Sequence, residues 1–386
     1  MSITVEKART DAERQAVYRF RYRVYVEEMG LSPPEADHVA KRLRDPLDLS
    51  SDIYALKDES EVVGSLRVTY FDDAPDPASL VARYDIGPAL RDLPRDAICI
   101  TSRFMLDPNV RHGTAIFRLM EAAWEDVASR GARIAYGDCS PHLVPFYEHL
   151  GFRRYTRAYN DTAYGFKVPI LMLVRDLARF DRVHSPLTRV VKGREDDLEG
   201  RAWFTRTYPD YLGMESAAFL AEGVFFDLLA ERVAKDPMHA LSPLRGMDRA
   251  EADLFLAEAT TIKAEKGDRI VRQGERGDTL FVLLSGVAEV TLDESPESPV
   301  AVLGAGDPFG EIGFLTSEPR TANVIARAPC EVLVLSGDFL QRFIGQQPAV
   351  AAKALLNLSR VLASRLALTT RRALGRAQGR PSPPLP

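Results

Sequence analysis

Glu311 and Arg320 are the residues best suited to chemistry. They stand nine positions apart in GDPFGEIGFLTSEPRTANVIA, residues 306–326, among turn glycines and apolar runs. A buried carboxylate or guanidinium needs a partner, and the loop between Phe309 and Arg320 is too short for a core of its own. A small anionic ligand is the economical answer. Arg320 would grip a phosphate through its planar fork. Glu311 would accept hydrogen bonds from a ribose hydroxyl, and N–H groups from Gly310 to Gly313 would form a nest for the anion. A surface turn with an Arg–Glu pair has the same spacing, and the residues alone leave both readings open.

Other candidate groups are sparser. His142 and His149 lie seven apart on one short segment, about two helical turns, too far to share a metal. Cys99, Cys139 and Cys330 are isolated and form no CxxC pair. That fits a reducing cytoplasm and argues against structural zinc, so no metal is expected. With 46% hydrophobic and 27% charged residues in 386, the chain reads as an ordinary protein of about two domains. A net charge of −5 and a pI near 5.8 leave no electrostatic footprint for nucleic acid. The start, MSITVEKARTDAERQ, is charged at once and reads as no signal peptide. The longest apolar run, VPILMLV at 168–174, is far short of the roughly 20 residues of a membrane helix.

The elements that would position these groups follow in order. A strand, ITVEKA, precedes a helix over residues 11–30 with Val17, Phe20, Val24 and Tyr25 at helical spacing. Arg19, Arg21 and Arg23 alternate with its aromatics, and a solvated basic face is the favoured reading over an anion-facing one. Pro33 and Pro34 open a loop over 31–50. DIYALK and EVVGSLRVTYF read as paired strands, 72–77 as a loop, and AICITSRFML as a strand. Residues 113–130 form a helix with an apolar stripe of Ile116, Leu119, Met120, Ala123, Trp124 and Val127. ARIAYGD, a short helix through VPFYEHL, and YGFKVPILMLV complete a β–α–β–β–β–α–β–α–β order, a mixed α/β pattern. Residues 213–235 read as one amphipathic helix with Ala217, Leu220, Val224, Leu228 and Val233 on its buried face. That helix would pack between domains or pair two subunits in a homodimer. Beyond 337 the chain is helical, and PSPPLP reads as a disordered end.

FGEIGFL followed by PRTANVIA resembles the phosphate-binding cassette of cyclic-nucleotide-binding domains. Gly267, Gly274 and Gly286 also stand where that family places glycines, and the likeness covers residues 240–370. It implies a β-barrel of jelly-roll type with C-terminal helices. Phe309, Gly310, Glu311, Ile312, Arg320 and Thr321 would line the nucleotide, with Glu311 on the ribose 2′-hydroxyl and Arg320 on the cyclic phosphate. Thr321 stands where domains that prefer cGMP often carry threonine; cAMP and cGMP both remain candidates.

The first half resembles the GNAT acyltransferase fold. VPFYEHLGFRRY looks like that family's Tyr–x–x–x–Gly–Phe segment, which implies that Tyr147 protonates the departing thiolate. A phenol can donate a proton while staying mostly unionised at neutral pH; a core tyrosine on a short helix is the alternative. Arg111, Gly113 and Ala115 fall in the turn whose N–H groups grip a pyrophosphate in that family, while Val110 departs from the pattern's first position. FRYRVYVEEMG, DPLDLSSDIYAL, GSLRVTYF and TSRFMLDP follow one another as in the autoinducer synthases and long-chain N-acyl amino acid synthases. By that resemblance Arg23, Asp45, Asp48, Arg67 and Arg103 match the family's charged positions, and Ile100 replaces its glutamate. Such an enzyme takes an acyl group from acyl-carrier protein or acyl-CoA to an amine or amino acid. Asp45 and Asp48 would hold the acceptor's ammonium or act as base; loop capping is the alternative.

The expected organisation is a GNAT-like domain at 1–175, a helical connector at 176–240, a cyclic-nucleotide domain at 241–372 and a tail at 373–386. The expected function is a cytoplasmic N-acyltransferase regulated by cAMP or cGMP. A lysine acetyltransferase using acetyl-CoA under the same control, and a non-enzymatic nucleotide sensor, are the alternatives.

Overall fold

The structure, a computed structural model, describes residues 3–111, 113–233 and 236–377. His112 of the expected phosphate-binding turn and residues 378–386 of the expected tail lie outside them. The chain divides into two compact units: Met1–Cys139, Phe146–Arg157 and Thr162–Met214 make the first, and Ser140–Pro145, Ala158–Asp161 and Glu215–Pro386 the second.

The first unit holds strands β1 (Ile3–Lys7), β2 (Ala36–Asp37), β3 (Arg42–Leu43), β4 (Asp52–Asp58), β5 (Glu61–Tyr70), β6 (Ile98–Leu106), β7 (Ile134–Cys139), β8 (Arg153–Arg154) and β10 (Gly165–Leu173), while β9 (Tyr159–Asp161) is counted with the second. Its helices are α1 (Asp11–Tyr22), α2 (Pro77–Tyr84), α3 (Gly87–Asp92), α4 (Ala115–Ser129), α5 (Val144–Leu150), α6 (Leu177–Arg182), α7 (Thr188–Val191) and α8 (Leu198–Thr207). The main sheet runs β1-β4-β5-β6-β7-β10-β8. Every pair is antiparallel except β6–β7. This is the expected mixed α/β fold.

Local chemistry explains how α1 starts. Thr10 and Glu13 form a reciprocal capping box, and Asp11 and Glu13 complement the positive end of the dipole. The helix then widens into a π-turn over Arg23–Glu28. Val17, Tyr18, Phe20 and Val24 pack on Ile53, Ala55, Val62 and Met105. A second cluster joins Phe71, Tyr84, Ile98, Ile100, Tyr136, Tyr155 and Leu171 to Trp203, Phe204 and Tyr208.

That second cluster corrects the expected connector. Residues 176–214 belong to the first unit: Trp203 is buried and donates from Nε1 to Asp92 Oδ2 at 3.0 Å. Asp197, the N-cap of α8, takes Arg133 in a two-point pair at 2.5 and 3.1 Å. The helix expected at 213–235 is also shorter. Gly223, at φ +79°, precedes α9 (Val224–Val233), whose buried residues are Phe225, Phe226, Leu229 and Val233. Val233 is buried and Ala217 and Leu220 pack on the core as expected, but Val224 is exposed and Phe225, Phe226 and Leu229 take the buried face in place of Val224 and Leu228. Two helices, α2 and α3, stand where the chain beyond 77 had no assigned element.

The second unit continues with α10 (Pro237–Ala240), α11 (Arg249–Leu256), α12 (Glu311–Thr316), α13 (Gly337–Gln346) and α14 (Pro348–Ala377). Its strands are β11 (Thr260–Ala264), β12 (Arg269–Val271), β13 (Leu280–Ser285), β14 (Ala288–Thr291), β15 (Ala301–Leu303), β16 (Pro308–Phe309), β17 (Asn323–Ala326) and β18 (Cys330–Leu335). They form two four-stranded antiparallel sheets, β11-β18-β13-β16 and β12-β17-β14-β15, the expected jelly-roll arrangement. Phe225, Leu229, Phe255, Phe339, Phe343 and Leu358 cover the first sheet through Leu280, Val282 and Leu333. α14 reaches Ala377, so residues 373–377 of the expected tail are helical.

If α8 is part of the first unit's core, Trp203→Ala should cost about 3–5 kcal/mol in denaturant unfolding of that unit. A change below about 1 kcal/mol, the scale of surface substitutions, would mark α8 as peripheral.

Candidate functional site

β6 and β7 pair in parallel over Ile98–Ile134, Cys99–Ala135 and Ile100–Tyr136 only. Beyond that point β6 stays with β5 as far as Leu106, and β7 stays with β10 as far as Cys139. Each strand keeps its antiparallel partner, so the two part and leave a wedge at their carboxyl ends. Ligand sites in such sheets favour this kind of position.

Tyr147, on α5 directly after β7, sits at this wedge. Its ring lies edge-on to Phe104 of β6 at 6.2 Å, and to Phe146 and Phe152 at 5.4 and 5.5 Å. Burial pushes its phenol well above the ordinary value, so it stays protonated. On the β7 side Tyr84 donates its hydroxyl to Asp138 Oδ2 at 3.0 Å. On the β6 side the register with β5 slips between Ser65 and Arg67, and Arg103 takes a left-handed φ of +55°. This bulge adds a residue to β6 and re-aims the Arg103 side chain. The guanidinium lies over the rings of Tyr164 and Tyr25 at 4.8 and 5.4 Å. It also donates to the Tyr164 hydroxyl.

Arg103 belongs to a buried network of five charges. Arg21 pairs with Asp48 at 2.7 Å, and neither side chain is exposed. Arg67 donates to Asp45 and, at 3.1 Å, to Asp48 Oδ1. Arg103 reaches Asp45 Oδ2 from Nε and Nη2 at 3.1 and 2.6 Å. Asp48 Oδ2 takes the N–H of Asp45 at 2.9 Å. Burial pushes Asp45 up, but Arg67 and Arg103 together outweigh it and hold its carboxyl well below the usual carboxylate range. A carboxylate so held is a poor base. Every oxygen of Asp45 and Asp48 is engaged, by the arginines and by the reciprocal cap that the two carboxylates form on their own turn.

Arg21 departs from the solvated basic face expected of α1, while Arg19 and Arg23 are exposed as expected. It falls on the helix's own apolar stripe, at Val17 + 4 and Val24 − 3, a spacing visible in the sequence. Arg23, the expected family position, is half-exposed and pairs with Asp107 at 3.0 Å, so Arg21 takes the place in the network. Arg111 donates from Nε to Leu106 O at 2.9 Å and pairs with Glu28 at 2.5 Å. Gly113 spends its N–H on Val110 O at 3.3 Å, and Ala115 opens α4. Val110 is buried, anchoring the turn rather than facing a ligand. Tyr164 and Tyr84 carried no signal beyond residue type. Among the described residues no group of three His, Cys, Asp or Glu could hold a metal, and no helix is long and apolar enough to cross a membrane.

The second unit brings Glu311 and Arg320 together in one cassette, with both largely buried. Arg320 donates from Nη1 to Gly310 O at 2.7 Å and from Nη2 to Thr279 O at 2.9 Å. Among the described residues no carboxylate pairs with it. Burial lowers its pKa, with Glu275, Asp278 and Glu311 opposing from a distance. Gly310, at φ +76°, lets the chain approach: a Cβ there would lie 2.7 Å from Arg320 Nη1. Phe309 is buried and stacks on Phe281 at 5.1 Å, while Ile312 and Thr321 are exposed. Glu311 is held by Arg365 of α14 at 2.6 Å, and Arg365 also donates to Pro308 O at 2.6 Å. Arg365 was not singled out in the sequence, since nothing local marks a residue 54 positions away.

Comparison with known proteins fits this geometry. Residues 16–174 match the family model of N-acyl amino acid synthase FeeM, and residues 261–347 match that of the cyclic nucleotide-binding domain. The chain joins an N-acyl amino acid synthase domain to a cyclic nucleotide-binding domain. Similar curated proteins include the cGMP-dependent protein kinase egl-4 of Caenorhabditis elegans, 46% identical over 83 residues, 20% of this chain and 11% of the kinase. A cAMP-dependent protein kinase regulatory subunit of Emericella nidulans is 38% identical over 106 residues, 27% of this chain and 24% of that protein. The chain thus spans a quarter or less of the length of either relative. Similar solved structures include a cyclic nucleotide-binding domain from Methylobacillus flagellatus (26% identity, 39% of this chain, 84% of that one, TM-score 0.34). Another is TofI in a ternary complex with an inhibitor and MTA (25% identity, 47% of this chain, 97% of that one, TM-score 0.36).

Two measurements test the charge assignments in the two domains. Asp45 is held below its unfolded pKa of about 3.9, so its contribution is full above about pH 4 and fades as pH falls through the lower folded value. Asp45→Asn should cost about 3–5 kcal/mol near neutrality. The gap to wild type should narrow in urea titrations below about pH 4; a gap constant with pH would contradict the assignment. In the nucleotide-binding domain, calorimetric titration with cAMP and cGMP should show Arg320→Ala weakening binding by about 2–5 kcal/mol, roughly thirtyfold or more. Unchanged affinity would remove the phosphate from Arg320.

Proposed function

We propose that this chain is an N-acyltransferase regulated by cAMP or cGMP, moving an acyl group from a carrier thioester to the amine of an amino acid. The observation that carries the reading is the wedge between β6 and β7 with the protonated Tyr147 at its mouth. A thioester laid between the parted strands presents its sulfur to a phenol. As the amine attacks and the C–S bond breaks, the thiolate takes the phenolic proton. Buried Val110, and Arg111 already paired with Glu28, favour acyl-carrier protein over free acyl-CoA as donor, because a pyrophosphate would find its expected grip spent.

In the nucleotide domain a cyclic phosphate would meet Arg320, a buried guanidinium that donates to carbonyls without a paired carboxylate. Glu311 would read the ribose. Nucleotide shifts turnover only through a difference in affinity between two states of the chain; a tenfold change needs about 1.4 kcal/mol. Isolated, buried, free cysteines suit a cytoplasmic setting.

The test is turnover of an acyl-carrier thioester and of acyl-CoA against a panel of amino acids, with and without each nucleotide, read by mass of the N-acyl product. Tyr147→Phe should lower kcat by about 10²–10⁴-fold with little change in donor KM. Full activity in that variant would remove the phenol from the reaction. Acetylation of added protein lysines with no amino-acid product would favour a lysine acetyltransferase instead.

A further inference from the structure

A cavity of about 180 Å³ on the first unit plays no part in the acyl-transfer reading. It is lined by Gln15 and Tyr18 of α1, by Asp37 and Arg42 of the β2–β3 hairpin, and by Glu35 and Arg44 beside that hairpin. None of these residues stands at the wedge. Most of the wall is already committed. Arg42 donates from Nη1 to Gln15 Oε1 at 3.0 Å and from Nη2 to Asp37 Oδ2 at 3.1 Å. Asp37 Oδ1 accepts the N–H groups of Val39 and Ala40 at 3.1 and 2.8 Å. Gln15 donates from Nε2 to Asp11 Oδ1 at 3.3 Å.

Three groups are left over. Among the described residues, Glu35 and Arg44 make no hydrogen bond or ion pair, with each other or with a neighbour, and both are exposed. Tyr18 is the third. Its side chain is only 3% exposed. Its hydroxyl has no hydrogen-bond partner among the described residues, yet it is not sealed from solvent. A buried phenol ordinarily finds a partner for its O–H, and the cavity that Tyr18 lines is where one can enter.

We propose that this cavity binds a free α-amino acid, its carboxylate on Arg44 and the Tyr18 hydroxyl, its ammonium on Glu35. Opposite charges that face one cavity without meeting suit a ligand that carries both signs. A simple anion would meet Glu35, and a simple cation would meet Arg42 and Arg44. The volume lies below the roughly 300–1,000 Å³ of sites for drug-sized ligands, which selects a small molecule over a nucleotide or an acyl chain. This is not the reacting pose of an acceptor. Glu35 would hold the nitrogen as an ammonium, and attack on a thioester needs its lone pair free. The cavity stands one side chain from the buried network: the Arg21 guanidinium that pairs with Asp48 lies over the Tyr18 ring at 5.8 Å, and Arg44 directly precedes Asp45.

The test is calorimetric titration of the full chain, without thioester or nucleotide, against the common free amino acids. The N-acetyl and amide forms of the tightest are titrated beside it. At least one free amino acid should bind saturably with Kd below about 10 mM. The N-acetyl form lacks the ammonium and the amide lacks the carboxylate, so each should bind about tenfold or more weakly. Arg44→Ala and Glu35→Gln should each weaken the free amino acid about tenfold, and Tyr18→Phe about threefold or more. Glu35 and Arg44 are exposed, so their variants should keep the wild-type circular dichroism spectrum; they decide the question if Tyr18→Phe fails to fold. No binding by any free amino acid overturns the inference. So does binding that either charge variant leaves within threefold, which would put the ligand elsewhere, or an N-acetyl form that binds as tightly. None of these readouts needs turnover, so the inference stands or falls apart from the acyl-transfer reading.

Discussion

Three guanidinium groups and two carboxylates removed from water constrain the whole first domain. Arg21, Arg67 and Arg103 share Asp45 and Asp48, and the members come from α1, the 45–48 turn, β5 and β6. A buried ion pair rarely adds much net stability, because desolvation offsets most of the attraction. Breaking one is costly, since a stranded charge has nowhere to go. The network therefore acts as a specification: α1, the turn and the two strands must all be in register, or a buried arginine is left alone. The bulge that sets Arg103 at φ +55° is tolerated for the same reason. A non-glycine residue in that region stores strain and persists only where its surroundings over-determine it. Two contacts to Asp45, the Tyr164 hydroxyl and two aromatic faces do so here.

The same rule is applied with the opposite outcome in the second domain. Arg320 is nearly as buried as Arg67, but it is given carbonyl oxygens and not a carboxylate. Carbonyls orient a guanidinium without cancelling its charge. In the first domain the charges are closed on one another. In the second domain, among the described residues, the guanidinium meets carbonyls and no paired carboxylate. Burial alone would have made the two arginines look alike.

Much of this was legible in the sequence where signals are local. The phosphate cassette spans residues 306–326, and its glycines, Glu311 and Arg320 stay together on one turn and one short helix. The strand–helix order of the first half was also legible, because the stripe of α4 and the alternation of β5 are periodic. What escaped depends on distance or on a competing local signal. Asp76 followed by Pro77 reads as loop punctuation, yet the same pair is an N-cap and first turn, and α2 begins there. The stripe expected over 213–235 treated Gly223 as an ordinary helical residue, and its left-handed conformation resets the phase. Residues 176–214 are polar enough to pass for a linker, because their buried apolar residues, such as Phe180, Leu187, Val191, Trp203 and Phe204, are scattered among charged ones. Arg21 was set among solvated charges although the stripe itself passes through it.

Arg365 shows why the cassette is not a self-contained site. Its guanidinium comes from the long final helix, and it occupies Glu311, the carboxylate that a ribose hydroxyl would use. It also takes the carbonyl of Pro308, just ahead of the cassette helix. A ligand that binds through Glu311 must share that carboxylate with Arg365 or displace it. In either case the free energy of binding contains the position of α14. Linkage is reciprocal, so the position of α14 then contains the ligand, by the same number of kilocalories. The helix would then need no separate sensor, since the carboxylate proposed to read the sugar also holds the helix.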